Sequence, residues 1–135
     1  MSKSIQDIIG IGPKDAGLLF QEGIYTSSKL LEVGGNRSGR KMLAEKTSIN
    51  ESNILKWVNM CDLFRIKGVS GQFVELLEGS GVETVKELGN CNATNLAQKM
   101  AAVNKQRHLC KTTPNATIVV GWIVQAKILE PMVTH

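Results

Sequence analysis

The amino-acid sequence predicts a compact all-helical bundle, with residues 1–135 forming a single domain. Hydrophobic residues make up 42% of the chain and aromatic residues only 4%, so the core must consist mainly of aliphatic side chains. This composition favours helices over a β-sandwich, which usually contains more aromatic and β-branched residues. A domain of this length buries roughly two thirds of its unfolded surface, so it needs no disulfide or metal to be stable.

An internal repeat is the strongest signal in the sequence. Residues 9–30 align without gaps on residues 67–88 at a constant offset of 58. The identical pairs are Gly10/Gly68, Leu18/Leu76, Leu19/Leu77, Gly23/Gly81, Thr26/Thr84 and Leu30/Leu88. Glycines, leucines and a threonine in one register are hard to obtain by chance, so we predict two copies of one structural unit.

Each copy is expected to form a helix, a tight hairpin, a second helix and a capped third helix. In the first copy Gly10 and Gly12 form the hairpin, because glycine tolerates the positive φ and close approach of a tight reversal. Gly23 ends the second helix, and Thr26 caps the third. In the second copy Thr84 opens a capping box for the equivalent helix.

Helical periodicity divides the chain into four parts. Residues 1–34 hold the first copy, residues 35–50 a connecting helix, residues 51–90 the second copy and residues 91–135 additional C-terminal helices. The second copy begins with a long helix whose apolar residues are spaced three or four apart, namely Ile54, Trp57, Val58, Cys61 and Phe64.

The segment at residues 117–124 is ambiguous, because its β-branched residues favour a strand. No partner strand is evident elsewhere, so we predict a helix in which Ile118, Trp122 and Ala126 form a buried stripe. Val120 and its neighbours widen the apolar arc beyond that stripe. Because monomers rarely expose such an arc, we expect the segment either to pack into the centre of the bundle, which we favour, or to form a homodimer.

The sequence Gly10-Ile11-Gly12, followed by Ala16, resembles the helix-hairpin-helix motif of DNA repair and replication proteins. That motif consists of an apolar helix, a Gly-apolar-Gly turn and a second helix that bears an alanine. The second copy departs from the pattern, because Ser70 stands in place of the second glycine and a valine in place of the alanine.

Nearly the whole chain also resembles a family of small, mostly uncharacterised bacterial proteins that carry such a duplicated module. Residues 55–69 and residues 122–129 look most like that family. The resemblance implies a compact, SAM-like helical bundle of duplicated helix-hairpin-helix units with additional C-terminal helices. Since the family is functionally obscure, the resemblance says more about the fold than about the function.

In helix-hairpin-helix proteins the backbone N–H groups of the hairpin hold a nucleic-acid phosphate without reading the bases. The start of a helix presents unsatisfied donors and a partial positive charge, which suits such a contact. Ser70 is alternatively the cap of its own helix and would then occupy these donors. The expected phosphate-binding residues are Gly10, Ile11, Gly12 and Lys14 in the first hairpin, and Lys67, Gly68, Val69, Ser70 and Gly71 in the second.

Basic residues elsewhere in the chain also suit a polyanionic partner. Arg37, Arg40 and Lys41 crowd the start of a predicted helix, where cations and dipole would together attract an anion; a solvated loop is the alternative. The net charge is +4, and residues 91–135 carry five basic residues against one acidic residue. A third basic stretch, whose members need not face one way, consists of Lys99, Lys105, Arg107, His108 and Lys111.

We therefore predict a non-enzymatic protein that binds the nucleic-acid backbone weakly and without sequence preference, DNA in preference to RNA. The rival hypothesis is a protein-interaction or scaffold module that keeps the fold without binding nucleic acid. One continuous basic face would favour the first, and scattered charges beside an apolar patch the second. We expect no catalytic residue, metal or cofactor, because the sequence contains no nucleophile elbow, phosphate-binding loop motif or metal-ligand pattern.

Cysteine usage and hydropathy bear on the compartment. The chain has three widely spaced cysteines, which fit free thiols in a reducing environment better than a disulfide framework. It has no apolar run of the length or position typical of a signal peptide or a transmembrane helix. We therefore expect a cytoplasmic protein with no membrane partner.

Overall fold

The structure, a computed structural model, describes residues 3–135. A 3-10 helix at Ile5–Asp7 precedes α1 (Pro13–Gln21), α2 (Ser27–Gly34), α3 (Arg37–Thr47), α4 (Glu51–Leu63), α5 (Gly71–Gly79), α6 (Val85–Gly89), α7 (Ala93–Arg107) and α8 (Ala116–Ile128). No β-strand forms within residues 3–135, where an isolated antiparallel bridge joins Ser4 to Thr26. The prediction of an all-helical fold is confirmed. The strand alternative for residues 117–124 is wrong, since they lie in α8.

The helices form two compact units. The first unit contains the residues up to Asp62 together with Glu130–His135, and the second contains Leu63–Leu129. Each unit buries its own aliphatic core, which includes Ile5, Leu19, Leu30, Leu43 and Ile54 in the first and Leu76, Leu77, Leu88, Met100 and Val119 in the second. The four sequence ranges that we assigned to a single domain stay a prediction.

The sequence repeat is also a repeat of backbone geometry at four glycines. Gly10 and Gly68 have φ of +94° and +93°, and Gly23 and Gly81 have φ of +78° and +90°. These are left-handed conformations that other residues adopt only under strain, which explains why glycine occupies each position. The identical glycines of the alignment therefore mark equivalent turns.

The third helix of each copy begins at a threonine cap, as predicted. The side chain of Thr26 accepts a hydrogen bond from Lys29 N at 3.2 Å, and that of Thr84 accepts one from Glu87 N at 3.0 Å. The Glu87 carboxylate accepts in return from Thr84 N at 3.1 Å, which completes the predicted capping box. The backbone angles of the two caps agree within a degree, with φ/ψ of −129°/159° and −128°/159°.

The correspondence between the units extends beyond the sequence repeat to α4 and α8. The four buried residues of α8, Val119, Trp122, Ile123 and Ala126, have the same spacing as four of the buried residues of α4, namely Ile54, Trp57, Val58 and Cys61. Trp57 Nε1 lies 3.3 Å from the point that a Cβ on Gly10 would occupy, and Trp122 Nε1 lies 3.2 Å from the equivalent point on Gly68. Gly10 and Gly68 are therefore each packed against an indole ring.

Helix α8 exposes an apolar face in the second unit. Trp122 and Ala126 are buried as predicted, whereas Ile118, predicted to share their stripe, is 49% exposed. Val120 and Val124 are also about half exposed, so the favoured prediction that the segment packs wholly into the bundle is wrong. The reason is that apolar residues occur on more than one side of α8, while its packing within the unit covers one side. No helix in residues 3–135 is long and apolar enough to cross a membrane.

A buried arginine holds the C-terminal tail in the first unit. Arg40, on α3, is only 5% exposed. Its guanidinium donates to the carbonyl oxygen of Gly34 at 2.9 Å and to that of Thr134 at 2.5 Å. Burial and then the charge of Arg37 lower the pKa of Arg40, while Glu51 acts in the opposite direction. The two carbonyl partners offset the cost of burying this charge.

Candidate nucleic-acid interface

The first hairpin leads into α1 without a side-chain cap. Gly12 is the N-cap residue, with φ −80° and ψ 174°, and it has no side chain that could accept a hydrogen bond. Pro13 follows and carries no N–H, and Lys14 is exposed. The remaining donors of the first turn therefore lack a side-chain acceptor at the positive end of the helix. Asp15 lies in the same turn and opposes the approach of an anion.

The second hairpin leads into α5 in the same way. Ser70 is the N-cap residue, but its hydroxyl makes no capping hydrogen bond, so it does not occupy the donors at the start of α5. Lys67 is exposed, and its backbone is held by the side chain of Gln125 on α8. Lys67 N donates to Gln125 Oε1 at 2.8 Å, and Gln125 Nε2 donates to Lys67 O at 3.3 Å. The second hairpin is thus tied to α8.

Two of the predicted donors are engaged inside the hairpins. Ile11 N donates to Ile8 O, and Val69 N donates to Ile66 O, each at 3.2 Å. The side chains of Ile11 and Val69 are buried. These two residues therefore shape the turns, and the donors left for a ligand are those at the starts of α1 and α5.

The two glycines of the first hairpin have different roles. Gly10 and its equivalent Gly68 have the positive φ that the turn requires, and an indole lies behind each. Gly12 has an ordinary φ, and a Cβ there would meet nothing within 4 Å. The turn therefore requires Gly10, whereas the missing side chain of Gly12 leaves the start of α1 open to a ligand.

The three basic side chains at the start of α3 lie in different environments. The helix is already capped, because Gly39 N donates to Asn36 Oδ1 at 2.7 Å. Sequence reasoning placed Arg40 among the phosphate contacts, but its guanidinium is buried and donates to two carbonyl groups of its own unit. Arg40 therefore stabilises the fold, while Arg37 and Lys41 remain exposed.

A family model matches residues 9–129, and its description is a domain of unknown function, DUF4332. The chain belongs to the DUF4332 family. The match includes both hairpins and the basic residues at the start of α3, and the expectation of an uncharacterised family is confirmed. Neither the curated proteins nor the solved structures gave a match.

Three residues of the third basic stretch lie together in this DUF4332 chain, a grouping that the sequence left open. Lys105, His108 and Lys111, from the third basic stretch, line a depression of about 610 Å³ at the C-terminal end of α7, which we call the α7 depression. Lys99 and Arg107 are not among its lining residues. A left-handed turn at His108, with φ +52°, follows α7. Glycine is the usual residue at such a turn, so the histidine at this position did not predict that the chain reverses here.

The cysteines of this DUF4332 chain are all free thiols. Burial, and then the charge of Asp62, raises the pKa of Cys61 to about 12. Burial also raises the pKa of Cys91, against the influence of Lys99. Raised pKa values keep both thiols protonated near neutral pH, where they are poor nucleophiles. In the part of the chain that the structure describes, no group of three His, Cys, Asp or Glu side chains could hold a metal ion.

Proposed function

We propose that the chain is a non-enzymatic binding protein whose two hairpins, each interpreted as part of a helix-hairpin-helix unit, contact phosphate groups of DNA. The observation that carries the proposal is the missing side-chain cap on α1 and α5. Five other α-helices begin at a side chain that accepts a backbone hydrogen bond: Thr26, Asn36, Thr84, Asn92 and Asn115. Among these seven helices, the two that follow the hairpins are the exceptions.

A phosphate oxygen has the chemistry that an uncapped helix start needs. The backbone donors and the helix dipole both attract an anion, and Gly12 presents no side chain to block it. Lys14 and Lys67 are exposed beside the two helix starts and would add attraction. Asp15 opposes it, so binding should be weak. Backbone donors contact phosphates rather than base edges, so binding should also be independent of sequence.

Salt dependence tests the proposal. We expect a labelled DNA duplex to bind at low salt, with a log–log slope of affinity against salt of about −0.9 per phosphate contact. Replacing Lys14 and Lys67 together with alanine should weaken binding and flatten the slope. Fluorescence anisotropy would measure both. The charge-matched control is the Lys29→Ala, Lys46→Ala variant, because those lysines already pair with carboxylates. Absence of binding at low salt, or equal losses in the two variants, would contradict the proposal.

The variant Gly12→Ser separates the backbone donors from the lysines. A serine fits, because a Cβ at Gly12 meets nothing within 4 Å, and its hydroxyl would cap α1 without changing the net charge. We expect the free energy of unfolding to change by only a few tenths of a kcal/mol, since glycine is itself a tolerated N-cap. The affinity for DNA should nevertheless fall several-fold. Unchanged affinity would exclude the α1 donors as the contact.

The second candidate function is protein interaction, with α8 packing against α8 of a second copy of this chain. Four apolar residues of that helix are between 48% and 77% exposed: Ile118, Val120, Val124 and Ile128. Gly121 lies among them, and a Cβ there would meet nothing within 4 Å. Packing within the described residues therefore gives no reason for a glycine, which weakens a helix by about 1 kcal/mol relative to alanine. Close approach of a helix from a second copy would give a reason for the glycine.

Sedimentation velocity over a range of concentrations tests the second candidate. We expect the wild type to shift from monomer to dimer as concentration rises, and Val120→Glu to stay monomeric. At a protein concentration where the wild type is monomeric, the two proteins should have the same melting temperature, because Val120 is half exposed and surface substitutions change stability little. Met42→Glu, at an exposed apolar position of α3, is the control and should still dimerise. A wild type that is monomeric throughout would rule this candidate out.

A further inference from the structure

The α7 depression is an open surface hollow that is large enough for a small ligand. Its volume of about 610 Å³ lies within the range of roughly 300–1,000 Å³ that ligand pockets occupy. Three basic side chains line it, together with the small apolar residues Ala101 and Ala102. Cations beside an apolar surface suit a ligand that has one anionic group and one flat or apolar part.

No Asp or Glu is among the residues that line the α7 depression. Lys105 and Lys111 are exposed, and neither forms an ion pair within residues 3–135. Residues 88–129 contain five lysine or arginine residues and no Asp or Glu. Lys105 and Arg107 in the last turn complement the negative end of the α7 dipole. That role does not account for Lys111, which lies beyond the end of the helix.

The loop that completes the α7 depression is held in place by one side chain. Asn104 Oδ1 accepts from Leu109 N at 2.8 Å and from Cys110 N at 3.0 Å, and Asn104 Nδ2 donates to Cys110 O at 2.8 Å. His108 N also donates to Asn104 O at 2.8 Å. Ordering the backbone of the loop in advance lowers the entropic cost of binding.

We propose that the α7 depression binds a phosphate monoester, with Lys105, His108 and Lys111 around the phosphate and the rest of the ligand over Ala101 and Ala102. A phosphate monoester carries a charge of about −1.5 to −2 near neutral pH, which matches two lysines better than a single carboxylate does. Two sources of this group are a free nucleotide and the 5′-phosphorylated end of a DNA strand. The proposal does not depend on the hairpins.

Binding of adenosine monophosphate to the whole chain, followed by amide NMR shifts and calorimetry, tests this proposal. We expect saturable shifts at Leu109, Cys110 and Lys111, and at least about tenfold weaker binding of adenosine, which lacks the phosphate. The Lys105→Ala, Lys111→Ala variant should bind about tenfold more weakly than wild type. Both lysines are exposed, so the variant should fold normally.

The Lys99→Ala, Lys127→Ala variant is the matched control, since it removes two exposed lysines of the same acid-free stretch that do not line the α7 depression. Binding that falls equally in both variants, equal binding of adenosine and its monophosphate, or no saturable binding would overturn the proposal. A 5′-phosphorylated oligonucleotide that binds tighter than both its 5′-hydroxyl form and the nucleotide would identify a strand end as the source of the phosphate. If the nucleotide binds as tightly as the phosphorylated oligonucleotide, the source is a free nucleotide. Gly12→Ser should change neither result, which separates this site from the hairpin contact.

Discussion

Gly39→Ala is expected to lower the free energy of unfolding by about 3 kcal/mol, near the upper end of the cost of an overpacked site. Gly39 is the third residue of α3, and a Cβ there would overlap the carbonyl oxygen of Val33 in the last turn of α2. Because that oxygen is backbone, the overlap can be relieved only by moving one helix against the other. Only Gly35 and Asn36 connect α2 to α3, so little chain is left to absorb the movement.

Gly17→Ala is the matched control and should have the opposite sign. Gly17 also lies inside a helix, α1, but a Cβ there would meet nothing within 4 Å. Alanine should therefore stabilise the protein by about 0.5–1 kcal/mol, the usual gain over glycine in a helix. Urea unfolding followed by circular dichroism would give both changes. If both substitutions moved the midpoint in the same direction, the close contact between Gly39 and Val33 would be refuted.

Arg40→Met is expected to cost about 3 kcal/mol of stability. Methionine keeps much of the apolar stem but removes the donors that satisfy Gly34 O and Thr134 O, and hydrogen bonds from charged groups contribute about 1.5–3 kcal/mol each. The tail should loosen at the same time, because Thr134 N donates to Gly35 O beside the same guanidinium. Faster hydrogen exchange at Thr134 would report this second effect.

Two further variants show whether the effect belongs to the guanidinium. Lys41→Met removes a neighbouring exposed charge and should change stability by less than about 0.5 kcal/mol. Arg40→Lys should recover only part of the loss, since a single ammonium lacks the fork of donors that reaches two carbonyl groups. A midpoint for Arg40→Met equal to that of Lys41→Met would mean that the two hydrogen bonds contribute nothing to stability.

Local features of the fold were predictable from the sequence, and long-range ones were not. Turns at Gly10 and Gly68 and caps at Thr26 and Thr84 depend on a few neighbouring residues, and all four formed as expected. The equivalence of α4 and α8 was missed because equivalent residues there are 65 positions apart instead of 58, and an ungapped alignment cannot follow that shift.

The candidate site was harder to predict than the fold, because it depends on what each polar group already contacts. Arg40 has the sequence signature of an exposed cation, yet its partner Thr134 lies 94 residues away. Ile11 and Val69 have backbone donors like any residue, but the turn itself occupies them. Lys105 and Lys111 reach the same depression only because a loop reverses between them, and residue type did not predict that loop.

The placement of the two indoles gives each unit a spectroscopic label of its own. Trp57 and Trp122 are the only tryptophans of the chain, one in each unit, and they are 3% and 2% exposed. In the Trp122→Phe variant the remaining fluorophore is Trp57, which lies against Gly10. In the Trp57→Phe variant it is Trp122, which lies against Gly68. Indole emission shifts to longer wavelength on contact with water, so the two single-tryptophan proteins would follow the two hairpins separately. Coincident emission transitions would mean that the two units unfold as one cooperative system, and separate transitions that each has a stability of its own.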